Sequence, residues 1–313
     1  MNKKIIFCIV VIFVSFLIVF GCYGDWPHVD DPDENGCTDE LVFKPNVDTL
    51  GVWWWSHTPI DGPYLDFAAK NGANEIYFST NTFGTAVSDF ITRAHAKGIK
   101  VYWLQGDVSW IRNDAVIRQR ILLYLQYQEN SAVNSRFAGV HFNIEPHQDS
   151  EWRNDPLSRP GILDMYLSLV ERLSTLLPDV HIDHVIPFWF RDPIMYKGES
   201  VPLYQAMIRE SDRVIIMSYR DTAERIINLG SGMGPGNVQD QIAFAKSLDK
   251  PIFLGAESSN PPEGTTEISF RLKGKRFMYE ELNKLKGLAN YDKLGIAIHH
   301  MRTWYNLQDD IIE

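Results

Sequence analysis

Residues 137–147 read FAGVHFNIEPH. Side chains of a strand alternate between its two faces, so Val140, Phe142 and Ile144 share one side while His141, Asn143 and Glu145 share the other. A run with one apolar and one ionisable face is at home where a strand is covered on one side and lines a site on the other.

Working outward, similar short runs recur along the chain: LGVWWWSH (50–57), ANEIYFSTN (73–81), IKVYWLQGD (99–107), AGVHFNIE (138–145), HIDHVIPFWF (181–190), RVIIMSYRD (213–221), PIFLGAESS (251–259) and LGIAIHHMRTW (294–304). Between most of them lie segments of helical periodicity, several closed by Gly, Pro or a Lys-Gly pair. Strand and helix in alternation imply parallel pairing through right-handed crossovers. Eight such units predict a (β/α)8 TIM barrel rather than an open doubly wound sheet, and no Gly-rich phosphate loop follows the first strand, where SHTPIDG stands. The final helix is expected to be short or missing, since only NLQDDIIE follows Tyr305.

The 313 residues are 45% hydrophobic and carry a formal charge of -10. That balance, with no basic stripe, argues against nucleic acid as a partner. The N-terminus has Lys3 and Lys4, then an uncharged run from Ile5 to Phe20, and ends at Gly21-Cys22. This is the layout of an export signal over residues 1–21. VFGC resembles a bacterial lipobox, which implies diacylation of Cys22 and a membrane-anchored lipoprotein of the bacterial cell envelope, facing outside the cytoplasm; an uncleaved anchor is the alternative. Residues 22–46 read as an acidic spacer and 47–313 as the barrel domain. With Cys8 inside the signal and Cys22 lipidated, Cys37 has no partner for a disulfide.

Active sites of this barrel lie at the C-terminal ends of its strands. The ends here supply Glu145, Asp107, Tyr219, Arg220, Glu257 and His300, among aromatic residues that include Trp54, Trp103 and Trp304. Acids beside flat rings suit a sugar site, because rings stack on pyranose faces while carboxyls act on the glycosidic bond. Glu145 is assigned as general acid/base, and Glu257, on the seventh run, as the second catalytic carboxylate. His141, Asn143, Tyr219, Arg220, Trp54, Trp103, Trp304, Asp107 and His300 are assigned to substrate binding. No metal site is expected, since no HExxH or similar spacing is present, and no cofactor is implied.

FAGVHFNIE also resembles the fourth-strand signature DGxDxDxE of the chitinase-like glycoside hydrolases of family 18, with Gly139 on the glycine, Asn143 on the last Asp and Glu145 on the catalytic Glu. IMSYRD is similar to that family's MxYD through Met217 and Tyr219, and Trp304 to the Trp forming the floor of its sugar site. The resemblance implies that Glu145 protonates a leaving oxygen. Ala138, His141, Asn143 and Arg220 replace acidic positions of the pattern, and Asn143 cannot supply the negative charge that substrate-assisted cleavage of N-acetyl sugars uses. Two readings follow: a surface-tethered glycoside hydrolase-like enzyme, or a glycan-binding lipoprotein on a degenerate hydrolase barrel. Both take an oligo- or polysaccharide as partner.

Overall fold

A computed structural model describes residues 44–309. The export signal, Cys22 and nearly all of the acidic spacer lie outside the described residues. The strands are β1 (Leu50–Trp54), β2 (Glu75–Ser79), β3 (Lys100–Gln105), β4 (Gly139–Phe142), β5 (Ile182–Pro187), β6 (Pro193–Tyr196), β7 (Glu199–Pro202), β8 (Arg213–Met217), β9 (Ile252–Glu257) and β10 (Leu294–His299). Eight of them close a parallel barrel in the order β1-β10-β9-β8-β5-β4-β3-β2, as the sequence predicts. Each is shorter than its predicted run, and residues beyond the C-terminal ends, such as Asp107 after β3 and Asn143 and Glu145 after β4, leave the ladder and line the mouth. The last run divides: β10 ends at His299, and Met301–Tyr305 is a short helix.

Alternation holds around the ring. One parity of side chains, including Val52, Trp54, Phe78, Trp103, Val140 and Phe142, faces outward into the helix layer. The other parity, including Trp53, Tyr77, Tyr102, Ile215 and Phe253, fills the barrel. The helices return the match: Arg159–Leu176 buries Ile162, Leu163, Tyr166, Leu169, Val170 and Leu173, a stripe at helical spacing. Trp54 meets Phe90 with ring centroids 5.0 Å apart, and Trp103 stacks on Tyr124 at 5.0 Å.

Large rings fit inside only because glycines face them. A Cβ on Gly51 would stand 2.2 Å from the Tyr77 hydroxyl, and one on Gly295 would stand 2.3 Å from the Phe253 ring. The N-terminal end of the interior, usually filled by branched aliphatic residues, is charged here. Arg213 at the start of β8 pairs with Glu75 on β2 at 2.8 Å and with Asp183 on β5, and all three are buried. Tyr77 and Tyr102 each donate to Glu75 at 3.2 Å, and the Arg213 guanidinium lies 4.1 Å from the Phe253 ring centroid. With both guanidinium pairs and phenol donors in place, the carboxylates are satisfied without water.

Strands β6 and β7 form an antiparallel hairpin beside the barrel that the sequence reading did not find. Its turn places Lys197 at φ 50° and Gly198 at φ 88°. Tight hairpin turns with two positive φ values are usually announced by Asn-Gly, and Lys at the first position hides the signal.

Candidate active site

The β4 ladder ends at Phe142, but Asn143 N still donates to the Gln105 carbonyl at 2.8 Å, so the alternation runs on beyond the strand. Asn143 and Glu145 therefore reach the mouth on the inward side, while Ile144 stays in the outer core. They line a cleft of about 320 Å³ with Trp55, Asp107, Arg120 and Gln148.

The Glu145 carboxylate accepts from Asn143 Nδ2 at 3.2 Å and from Gln148 Nε2 at 2.8 Å, and pairs with His147 Nε2 at 3.2 Å. Burial pushes its carboxyl up, but the bonds from His147, Gln148 and Asn143 outweigh burial and hold it below the usual range. Glu145 is thus ionised in the resting site. Asn143 Oδ1 is buried without a protein partner, an acceptor left over at the cleft wall.

Glu257, the last residue of β9, is buried. Its carboxylate takes His299 Nδ1 at 2.8 Å and Ser259 N at 2.7 Å. Burial again pushes it up and the His299 bond, seconded by Ser259, brings it below the ordinary value. His299 Nε2 in turn accepts from Trp55 Nε1 at 3.3 Å, which fixes the imidazole with its proton on Nδ1. The chain Trp55–His299–Glu257 joins the cleft wall to the second carboxylate. The Tyr219 hydroxyl is raised well above a free phenol by burial and by the charges of Glu257 and Glu145, so it stays protonated.

Several assignments come out differently. His141 is wholly buried: Nδ1 faces Asp183 at 3.4 Å, Nε2 accepts from Trp53 Nε1 at 3.0 Å, and the ring stacks on Tyr77 at 3.9 Å. A strand rises ~3.3 Å per residue, which leaves His141 a full layer below Asn143 and out of reach of a ligand. Trp54 and Trp103 face the helices for the parity reason given above. Trp304 is also buried, donating to the Tyr279 hydroxyl at 2.8 Å and packing on Phe67, so it is not a floor for the cleft. Arg220 donates to the Tyr219 carbonyl at 2.7 Å, with no carboxylate in pairing distance among the described residues. Asp107 does stand in the cleft, its carboxylate capping the next turn through Ser109 N at 2.9 Å. His300 lines a separate cavity.

The sequence reading assigns no role to Trp55, His299, Gln148 or Arg120, although Trp55 and His299 stand at the ends of its strand runs. Parity would have found two of them: if Trp53 fills the barrel, then Trp55 faces the mouth and Trp54 does not. The same count along Gly295, Ala297 and His299 selects His299 over His300.

No protein-family model matches the sequence, and no curated protein matches it. Solved structures with a similar course of chain include the spore cortex-lytic enzyme SleL of Bacillus megaterium, at 12% identity over 84% of this chain and 74% of that one with a TM-score of 0.49. A GH18 chitinase from Cycas revoluta in complex with (GlcNAc)3 has 11% identity over 82% and 95%, with a TM-score of 0.44. The glycoside hydrolase domain of PelA from Pseudomonas aeruginosa has 10% identity over 86% and 100%, with a TM-score of 0.45. At these identities the likeness concerns the course of the chain and transfers no residue role.

Proposed function

We propose that the mouth binds an oligo- or polysaccharide and hydrolyses a glycosidic bond with Glu145 as general acid/base and Glu257 as the opposing carboxylate. The observation that supports this most is the Glu145 carboxylate standing in the cleft beside Trp55, with the Glu257 carboxylate at the end of β9 tied to the same Trp55 through His299. In the reaction a proton passes from Glu145 to the departing oxygen as the C–O bond breaks, and water supplies hydroxide to the anomeric carbon and returns a proton. Because Glu145 rests ionised, acid catalysis requires the bound glycan to draw His147, Gln148 or Asn143 away from it.

That requirement is also what favours the second reading, a barrel that binds glycan without turnover: donors that stay in place keep the proton off Glu145. Reducing-end release from β-glucans, chitin, peptidoglycan and host-type glycans separates the two. Glu145→Gln is expected to retain binding and lose about 10²- to 10⁴-fold of release. Glycan held equally by both proteins, with no release from either, would establish the binding reading. For the N-terminus the proposal is a lipid tether on Cys22 at the bacterial envelope, and Cys22→Ala should move the protein from the detergent phase to the aqueous phase.

A further inference from the structure

A second cavity of about 240 Å³ opens at the same end of the barrel, among the segments that follow β1, β9 and β10. It is lined by His57, Asn260, Arg271, His300, Arg302 and Thr303, with Asn306 at its edge. In a chain of net charge -10 this lining holds two guanidiniums and no acid. Arg271 bonds only neutral acceptors, Asn260 Oδ1 at 3.2 Å and the Asn306 carbonyl at 2.9 Å. Arg302 is exposed. Among the described residues neither has a carboxylate in salt-bridge range. The positive charge is therefore both fixed in place, through Arg271, and uncompensated.

The two cavities share a wall of rings. Trp55 of the cleft meets His299 at 5.9 Å between centroids, His299 meets His300 at 5.2 Å, and His300 meets His57 at 5.5 Å. A ligand in the cleft can thus extend past Trp55 and over this wall. His300 is pushed down to about 4 by burial and by His299, so it meets a ligand as a neutral ring and the guanidiniums carry the charge.

The geometry points to a subsite for an acidic sugar: the cavity of Arg271 and Arg302 takes the carboxylate of a uronic-acid residue in the glycan whose neighbouring sugars occupy the Glu145 cleft. Guanidinium forks match a carboxylate bidentately. The Asn260 and Asn306 amides suit the ring hydroxyls that accompany it, which a bare inorganic anion lacks. This inference rests on the glycan reading of the cleft.

The test uses the full chain, titrated with D-glucuronate, D-glucose and inorganic phosphate, and with neutral oligosaccharides alongside their C6-carboxylated counterparts. Glucuronate should bind and glucose should not. Each carboxylated oligosaccharide that binds should do so about tenfold more tightly than its neutral form, the effect of one charge-assisted pair. Arg302→Gln, at an exposed side chain with no side-chain bond to lose among the described residues, should remove that preference, and Arg271→Gln should do the same. Neutral glycans held as tightly as carboxylated ones would overturn the subsite while leaving the glycan reading intact. Phosphate competing better than glucuronate would overturn it in favour of a simple anion site. Glucuronate bound by a protein that holds no oligosaccharide of either kind would sink the glycan reading and the subsite with it.

Discussion

The two ends of the barrel interior hold much the same chemistry and treat it in opposite ways. At the base, Glu75 and Asp183 are shut away from water and share one buried guanidinium, that of Arg213. At the mouth, Glu145 and Glu257 are ionised, but their partners are amides, imidazoles and a backbone N–H, and among the described residues no guanidinium pairs with them. A charge cancelled by a permanent opposite charge has nothing left to offer a ligand. One held by weak, exchangeable donors keeps its charge and can be redirected. The difference teaches where function is to be sought: in the carboxylates whose partners can be displaced, and not in those buried deepest.

The largest expected effect breaks the base. Arg213→Met strands two buried carboxylates and should cost about 3–5 kcal/mol in urea titration, whereas Glu145→Gln at the mouth should cost under about 1 kcal/mol in the same measurement. Equal losses would erase the distinction between the ends. An intermediate effect comes from the barrel wall. His184 on β5 is fully buried, stacked on Phe142, and neither ring nitrogen has a partner. Burial pushes it down to about 3. The unfolded chain then binds a proton that the folded one refuses, so stability is full above an ordinary histidine value of about 6.5 and falls as pH drops below it. This contribution has a slope approaching about 1.4 kcal/mol per pH unit between pH 6 and 4. His184→Leu should flatten the profile by that amount; an unchanged slope would locate the proton uptake at His141, which burial also lowers. The smallest effect sharpens the mouth. Trp55→Phe removes the donor to His299 and should weaken glycan binding about two- to tenfold, with stability little changed.

The barrel was legible because each strand carries its own evidence, alternation bounded by turns, and eight repetitions leave few arrangements. Glu145 was legible for the same local reason, standing on the polar face of a strand whose other face is apolar. What could not be read was depth. His141 and Asn143 share a face, yet one belongs to the sealed interior and the other to the cleft, because the layer at which the interior closes is set by rings from β1 and β2. The three consecutive Trp residues show the related limit: the pattern says that neighbours oppose one another, and only the identity of the residues inside the barrel says which is which. The hairpin of β6 and β7 was missed because its turn uses Lys where the usual residue is Asn.

The ion pairs at the base also bear on how the chain assembles. Glu75 and Arg213 stand 138 residues apart, so their contact closes late and against a large loop entropy. A half-barrel of β1 to β4 would bury Glu75 with no cation, which is costly enough to keep that fragment from settling into a compact dead end. The charged floor thus acts as an all-or-none latch: partial barrels are penalised, and only the ring that has recruited both halves of the chain gives Glu75 its guanidinium.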